Sequence, residues 1–444
     1  MADRRVVVTG IGLACPLGIG NRNVWEHLLA GRSAVRRITA FDPSRFDSQV
    51  AGQMDEFKVA DYVPKSYRKS TKVMARDIEI AVAAAYEAVK DAGLRTKCLI
   101  ERGEAQAPAL PDPTRFGANI GAGLICADLT ELSGAIYTAR DEAGRFSMNK
   151  WGKEGMNNLT PLWLLKYLPN MLACHVTIVH DAQAPSNTIT CGDASGHLAI
   201  GEAQRTILRG AADVCICGGA ESKLNPMGLM RQSLLKRVAS DSNDVPAKAC
   251  KPFDARRSGT VIAEGGGLLI LEEAEHARQR GARIYAEVAG FGASTNPGNW
   301  TSPEDHARAV QLAIQRAMAD AGVKPAEVDL VVAFAPGTRE HDLGEAKGIA
   351  AALGVQADRV LVTAIKGALG TCGAGAGAIE TSVTAMAIDA GCIPPAINCE
   401  QPDPSCPISV VRQATSRPVK VAITIGYAMS GGQYGALLLR KVGS

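Results

Sequence analysis

The sequence predicts an α/β protein built from two duplicated halves, and three observations carry that expectation. Short β-branched runs alternate with alanine-rich helices along the chain, the pattern of helix-covered sheets. The helices predicted over 79–94 and 308–323 echo each other, since both present an alanine face and both stop at Asp-Ala-Gly. Glycine is the residue that most readily ends a helix in the left-handed conformation. Finally, 46 glycines against 5% aromatics suit closely packed helix–sheet layers better than a carbohydrate or nucleic-acid surface.

With 444 residues, 46% of them hydrophobic, the chain can fill two domain-sized cores. The join is expected near 275–285, giving an N-terminal half over 1–280 and a C-terminal half over 281–444. Val6-Val7-Val8-Thr9 opens as a strand directly after Met1–Arg5, with no apolar signal core and no apolar run of bilayer length anywhere. The first alanine helix is followed by a polar, proline-containing stretch, Gln106 to Pro113, inside an insertion of about 100–115. A small-residue strand around Gly117–Gly123 comes next. Residues 139–158 are polar and weakly periodic, an irregular second insertion before the bulky run Leu162–Leu168. Cys215 and Cys217 fall on a strand and are read as pointing to opposite faces, unable to share a metal. Glu264-Gly265-Gly266-Gly267 reads as a tight turn, and Leu330–Phe334 as the strand after the second alanine helix.

Several chemistries are excluded. Gly10-Ile11-Gly12 lacks the full GxGxxG spacing, so dinucleotide binding is unsupported. A net charge of +3 without an aromatic-interleaved basic stripe gives no reason to expect nucleic acid. The 12 cysteines contain no CxxC pair, and no His/Cys/carboxylate cluster has metal-ligand spacing. The expectation is no metal, no cofactor, and buried thiols in a reducing cytoplasm.

The chemistry-bearing stretch is 186–200. A β-branched run ends in a small-residue turn, and an apolar-periodic helix starts at once. Such an elbow places a residue among free backbone N–H groups, where negative charge is favoured and acyl-transfer enzymes put a nucleophile. Here that residue is Asp193. Its simplest reading is a helix N-cap, worth about 1 kcal/mol over alanine; a chemical role is the alternative. Cys191, two residues earlier on the expected strand, reads as a buried inert thiol, and His197, one helical turn on, as a hydrogen-bonded interior or interface histidine.

Nearly the whole chain resembles a β-ketoacyl-acyl carrier protein synthase, a ketosynthase of the thiolase superfamily. The matching motifs, in order, are Val7-Val8-Thr9-Gly10-Ile11-Gly12, Pro16-Leu17-Gly18, Pro252-Phe253-Asp254 and Glu264–Gly267. They continue with Glu272-Glu273-Ala274-Glu275-His276-Ala277, Ile393-Pro394-Pro395 and Gly431-Gly432. The resemblance implies a thiolase-like five-layered αβαβα fold and a dimer whose central strands pair across the interface. It also implies a Cys at the elbow and two histidines that decarboxylate a malonyl unit and hold its enolate. This sequence departs at all three positions. Asp193 stands for the Cys, Pro336 leads a loop two residues short where the first His belongs, and Thr371 replaces the second His, while Lys366 is retained. A carboxylate is a poor nucleophile towards a thioester, and neither Pro336 nor Thr371 can act as a base or a cationic donor. An aspartate anion would also repel a malonyl carboxylate.

The resemblance further implies where binding would survive. Lys65, Arg68, Lys69 and Lys72 form a basic group ahead of the first long helix, and Arg237 matches a basic residue near the tunnel mouth. Acidic acyl carrier proteins dock on such patches. Thr338 matches a threonine that contacts pantetheine, though its companion position carries Glu340. Ala428–Gly432 stands where the family has a phenylalanine gate, and Trp163, Leu164 and Tyr167 are candidate gate residues at the dimer seam, with core packing as their alternative. The expectation is a non-catalytic subunit like the chain-length factors, paired with an active ketosynthase or else homodimeric. The alternatives are an enzyme using Asp193 with His341 and Lys366, His341-Asp342 serving as a rewired acid/base pair, and an acyl-carrier-binding homodimer without turnover. Asp342 reads otherwise as a turn residue.

Overall fold

The computed structural model describes residues 4–104 and 111–443, so part of the Gln106–Pro113 stretch lies outside the described residues. In the first half the main-path strands of the large sheet are β1 (Val6–Cys15), β2 (Phe116–Ala122), β3 (Ser186–Ile189), β4 (Val214–Ser222) and β5 (Glu264–Glu273). In the second half they are β6 (Ala286–Asn296), β7 (Leu330–Val332), β8 (Leu361–Thr363), β9 (Ser409–Val410), β10 (Val421–Tyr427) and β11 (Gly432–Arg440). Bonded neighbours run β3-β2-β4-β5-β1 and then β6-β11-β10-β7-β8-β9 in one mixed sheet. Counted from β1 and from β6, leaving out the edge strand β9, both halves have the order 3-2-4-5-1. The echo between the two alanine helices therefore extends to topology. The halves meet where β1 pairs antiparallel with β6, Val7 opposite Glu287 and Val8 opposite Ala286.

The main helices are α1 (Arg76–Asp91), α2 (Met171–His180), α3 (Ser195–Leu208), α4 (Pro303–Ala321), α5 (Arg339–Leu353) and α6 (Ala376–Ala390). Helices α1 and α2 cover the outside of the first half, and α4 and α5 the outside of the second. Between the two half-sheets lie α3 and α6, packed on each other and on strands of both, which makes five layers. Glycine permits the tightest of these contacts. A Cβ on Gly12 would sit 2.0 Å from the Ala84 carbonyl oxygen, so β1 and α1 could not otherwise touch.

Three expectations about local structure are corrected. Glu264–Gly267 is no turn but the start of β5, where a Cβ on Gly266 would meet that of Ala220 at 2.6 Å. Cys215 and Cys217 share a face, as alternate residues of a strand must, and both enter the core cluster that excludes Ile216. The 139–158 insertion holds a short helix, Met148–Lys153, and a 3-10 turn, Gly155–Asn158. Among the described residues no helix is long and apolar enough to cross a membrane, and no group of three or more His, Cys, Asp or Glu could hold a metal.

Candidate functional site

The elbow between β3 and α3 is a 3-10 turn, Gly192–Ala194, with Gly192 at φ 57°. Ser195 closes it: Cys191 N donates to Ser195 Oγ at 2.8 Å, and that hydroxyl donates to Gly192 O at 2.6 Å. Because this turn delays the helix, the cap position falls to Ala194, which has no side-chain cap. The N-cap reading of Asp193 is thus wrong. Asp193 points inward, 6% exposed, and its Oδ1 accepts from Lys223 Nζ at 2.6 Å. Burial alone would raise its carboxyl; Lys223 above all, then Lys366 and Arg237, outweigh that and hold it below the usual carboxylate range. Burial would likewise lower the Lys223 ammonium, but Asp193 and Glu221 keep it above its ordinary value. The pair is ionised. Cys191 is half-buried in the turn rather than on a strand, and burial raises its thiol.

The positions where the family resemblance implies histidines carry no base. Thr371 Oγ1 lies 2.6 Å from Thr260 Oγ1, hydroxyl to hydroxyl. Pro336 is buried in the loop after β7, beside Ala335 at φ 34°. Asp342 braces that loop, accepting from Gly337 N at 3.0 Å and Phe253 N at 2.8 Å, which is the turn role expected of it. Lys366 is ion-paired with Glu380, its ammonium 3.5 Å from the Phe334 ring centroid. His197 is fully buried in α3 with Nε2 3.0 Å from Thr424 Oγ1, and burial lowers it to about 3. It is an interior histidine.

His341, in the first turn of α5, lies in the elbow's electrostatic neighbourhood, but both of its nitrogens are engaged. Nε2 lies 3.1 Å from the Met429 carbonyl, which can only accept, so Nε2 holds the proton. Burial, then Arg237, lowers the ring to about 4, so Nδ1 is an acceptor and the Thr338 hydroxyl donates to it at 2.8 Å. The O–H of Thr338 is thereby spent on His341. His341 also stacks on Tyr427 and Trp300. The expected triad of Asp193, His341 and Lys366 is brought near, yet each member is bound to another partner.

Arg237 is 4% exposed, beneath Trp300 and the Ala428–Gly432 loop, so in this conformation a docking protein does not reach it. Lys65, Arg68, Lys69 and Lys72 are exposed along the 3-10 stretch Lys65–Val73. Trp163 packs on Tyr167 at 5.1 Å between centroids, while Leu164 is exposed. The Tyr167 hydroxyl donates to Glu131 at 2.8 Å, and its ring and Lys166 line a cavity of about 1170 Å³ with Phe57, Arg76 and Met227. Neither Asp193 nor His341 lines that cavity.

Two family models match the chain, the N-terminal domain of β-ketoacyl synthase over residues 3–277 and its C-terminal domain over 285–400. The chain belongs to the β-ketoacyl synthase family. It is 34% identical to the polyketide beta-ketoacyl synthase 1 of Streptomyces halstedii, covering 98% of both chains. It is 32% identical to 3-oxoacyl-[acyl-carrier-protein] synthase 2 of Vibrio cholerae, covering all of both. Among solved structures it superposes on the ishigamide ketosynthase/chain length factor with TM-score 0.83 at 28% identity, covering 100% of both chains. A type II polyketide ketosynthase in complex with its acyl-carrier protein and bound to the hexaketide gives 0.82 at 29%, over 99% of this chain and 100% of that one. The fold is therefore the thiolase-like one expected of a ketosynthase.

Sequence reasoning missed Lys223. Its one local signal is position: a lysine directly after the nine-residue buried strand β4, where a solvated cation is out of place. The ring cluster of Trp300, His306, Tyr427 and Tyr434 around His341 was also unforeseen, since its members come from four separate elements.

Proposed function

We propose that this ketosynthase-family chain is a non-catalytic subunit that pairs with an active β-ketoacyl synthase and shapes its acyl tunnel. The observation that carries the reading is the Asp193–Lys223 ion pair at the elbow, where thioester chemistry needs a free sulfur nucleophile. The two imidazoles the sequence put forward are not poised to help, because His341 is bonded at both nitrogens and His197 is sealed in the core. Pairing is supported by β3, an edge strand whose Ser186 and Asn187 are exposed, and by exposed Leu124, Tyr137, Met148, Leu162 and Leu164 between β2 and α2. The exposed Lys65–Lys72 group supports docking of an acidic acyl carrier protein, and one similar ketosynthase is solved in complex with its acyl-carrier protein. The test is co-expression with a ketosynthase that keeps its Cys and both His. A complex whose product length shifts on Trp163→Ala supports the reading; a homodimer indifferent to every such ketosynthase ends it.

A further inference from the structure

Arg237 is a buried cation whose contacts are neutral. Its Nη2 donates to the Met429 carbonyl at 2.7 Å and its Nη1 to Ser430 Oγ at 3.2 Å, while Nε is buried without a partner. No carboxylate among the described residues forms an ion pair with it, and the acid it senses, Asp193, is held by Lys223. An unpaired buried charge is among the costliest things a fold can contain, and an anion beside Arg237 would relieve that cost.

Both acceptors sit on the Ala428–Gly432 loop, which lies over the elbow: a Cβ on Gly192 would be 3.4 Å from that of Ala428. Two side chains converge on one atom of the loop, since His341 Nε2 shares the Met429 carbonyl with Arg237. Trp300 clamps the assembly, its ring centroid 4.4 Å from the guanidinium carbon and its Cβ where a side chain on Gly431 would fall. Gly431 at φ 82° and Gly432 at φ 94° give the loop a hinge.

We propose that Arg237 binds a ligand oxyanion, a carboxylate or a phosphate, and that in leaving the Met429 carbonyl for it Arg237 releases the loop from the elbow. An ionised acceptor bonds a guanidinium roughly twice as strongly as a neutral one, so the exchange runs in the ligand's favour. Once Arg237 leaves, His341 is the one side chain still bonded to the Met429 carbonyl among the described residues, and the fold described here is the closed state. Nothing in this depends on a ketosynthase partner.

The test is hydrogen exchange at 428–432 in the full chain, titrated with inorganic phosphate or with acetate while sodium chloride keeps the ionic strength constant. The loop's exchange should rise several-fold and saturate with one of the two anions, and the effective one identifies the ligand's head group. Arg237→Gln should exchange fast from the start and not respond. Ser430→Ala, which removes one closed-state bond and leaves Arg237, should respond at lower anion concentration. No response to either anion in the wild type, an equal response in Arg237→Gln, or an unshifted midpoint in Ser430→Ala each overturns the proposal.

Discussion

Lys223 holds Asp193 with its ammonium 2.6 Å from the carboxylate, so the residue at the nucleophile elbow is half of a buried ion pair. Asp193→Asn then leaves a lysine ammonium buried with Glu221 as its remaining counter-charge. Breaking a buried pair from one side costs about 3–5 kcal/mol, and Glu221 puts the expected loss near the lower end. Lys223→Met should cost a similar amount, and the double variant less than the sum, with a coupling of about 0.5–3 kcal/mol. Urea unfolding of the three variants measures this. Additive losses would mean that the two charges do not stabilise each other.

The pH dependence of stability has a sign set by a second acid. Asp77 is 3% exposed in the first turn of α1, and burial, then Glu221, pushes its carboxyl up to about 8. Its folded value therefore lies above its unfolded one. Between about pH 4 and pH 8 the native state keeps a proton that the unfolded chain has lost, so stability falls as pH rises through that window. Asp193 has the opposite sign: held low, it stabilises at neutral pH and stops doing so as pH falls through its folded value. Asp77→Asn keeps an acceptor for the Ser222 N–H and removes the titration. The variant's Tm should fall less steeply between about pH 5 and pH 8 and exceed the wild type's at the alkaline end. Parallel curves would show that Asp77 titrates normally.

The layers were legible in the sequence because they are local. Alanine periodicity, Asp-Ala-Gly stops and β-branched runs each act over a few residues, and the structure keeps them as α1, α4 and β1. The elbow was legible as an elbow. What Asp193 does there was not, because the 3-10 turn that shifts the cap to Ala194 is held by Ser195, and the lysine that claims Asp193 arrives from just after β4, 30 positions along. Thr338 and His341 are near neighbours in sequence, yet their tautomer is dictated by Met429, 88 positions from His341. Residues that fix chemistry through distant partners leave no periodic signal.

The exposed cations of the Lys65–Val73 stretch should act on association and not on folding. Lys65→Glu with Lys69→Glu reverses two solvated charges, so unfolding should move by less than about 0.5 kcal/mol. Association with an acidic acyl carrier protein should slow on the order of tenfold at low salt, with the difference vanishing at high salt. Stopped-flow association at two ionic strengths checks it. A salt-independent loss would point to a contact rather than to a field.

Restoring the sulfur alone should not restore condensation. Asp193→Cys puts a thiol beside Lys223, whose charge favours the thiolate, so acyl transfer to the elbow becomes chemically reasonable. The next step still has no help. Thr371 shares its hydroxyl contact with Thr260, Pro336 has no proton to give, and His341 is lowered to about 4 with both nitrogens bonded. General acid–base assistance contributes roughly 10²–10⁴-fold where it acts, and the enolate would form here without it. With malonyl and primer acyl carrier proteins, mass spectrometry should find ketoacyl product from this variant at least about 10³-fold slower than from a ketosynthase with both histidines. Robust condensation by Asp193→Cys would mean that one substitution, and not the whole rewired site, had silenced the chain.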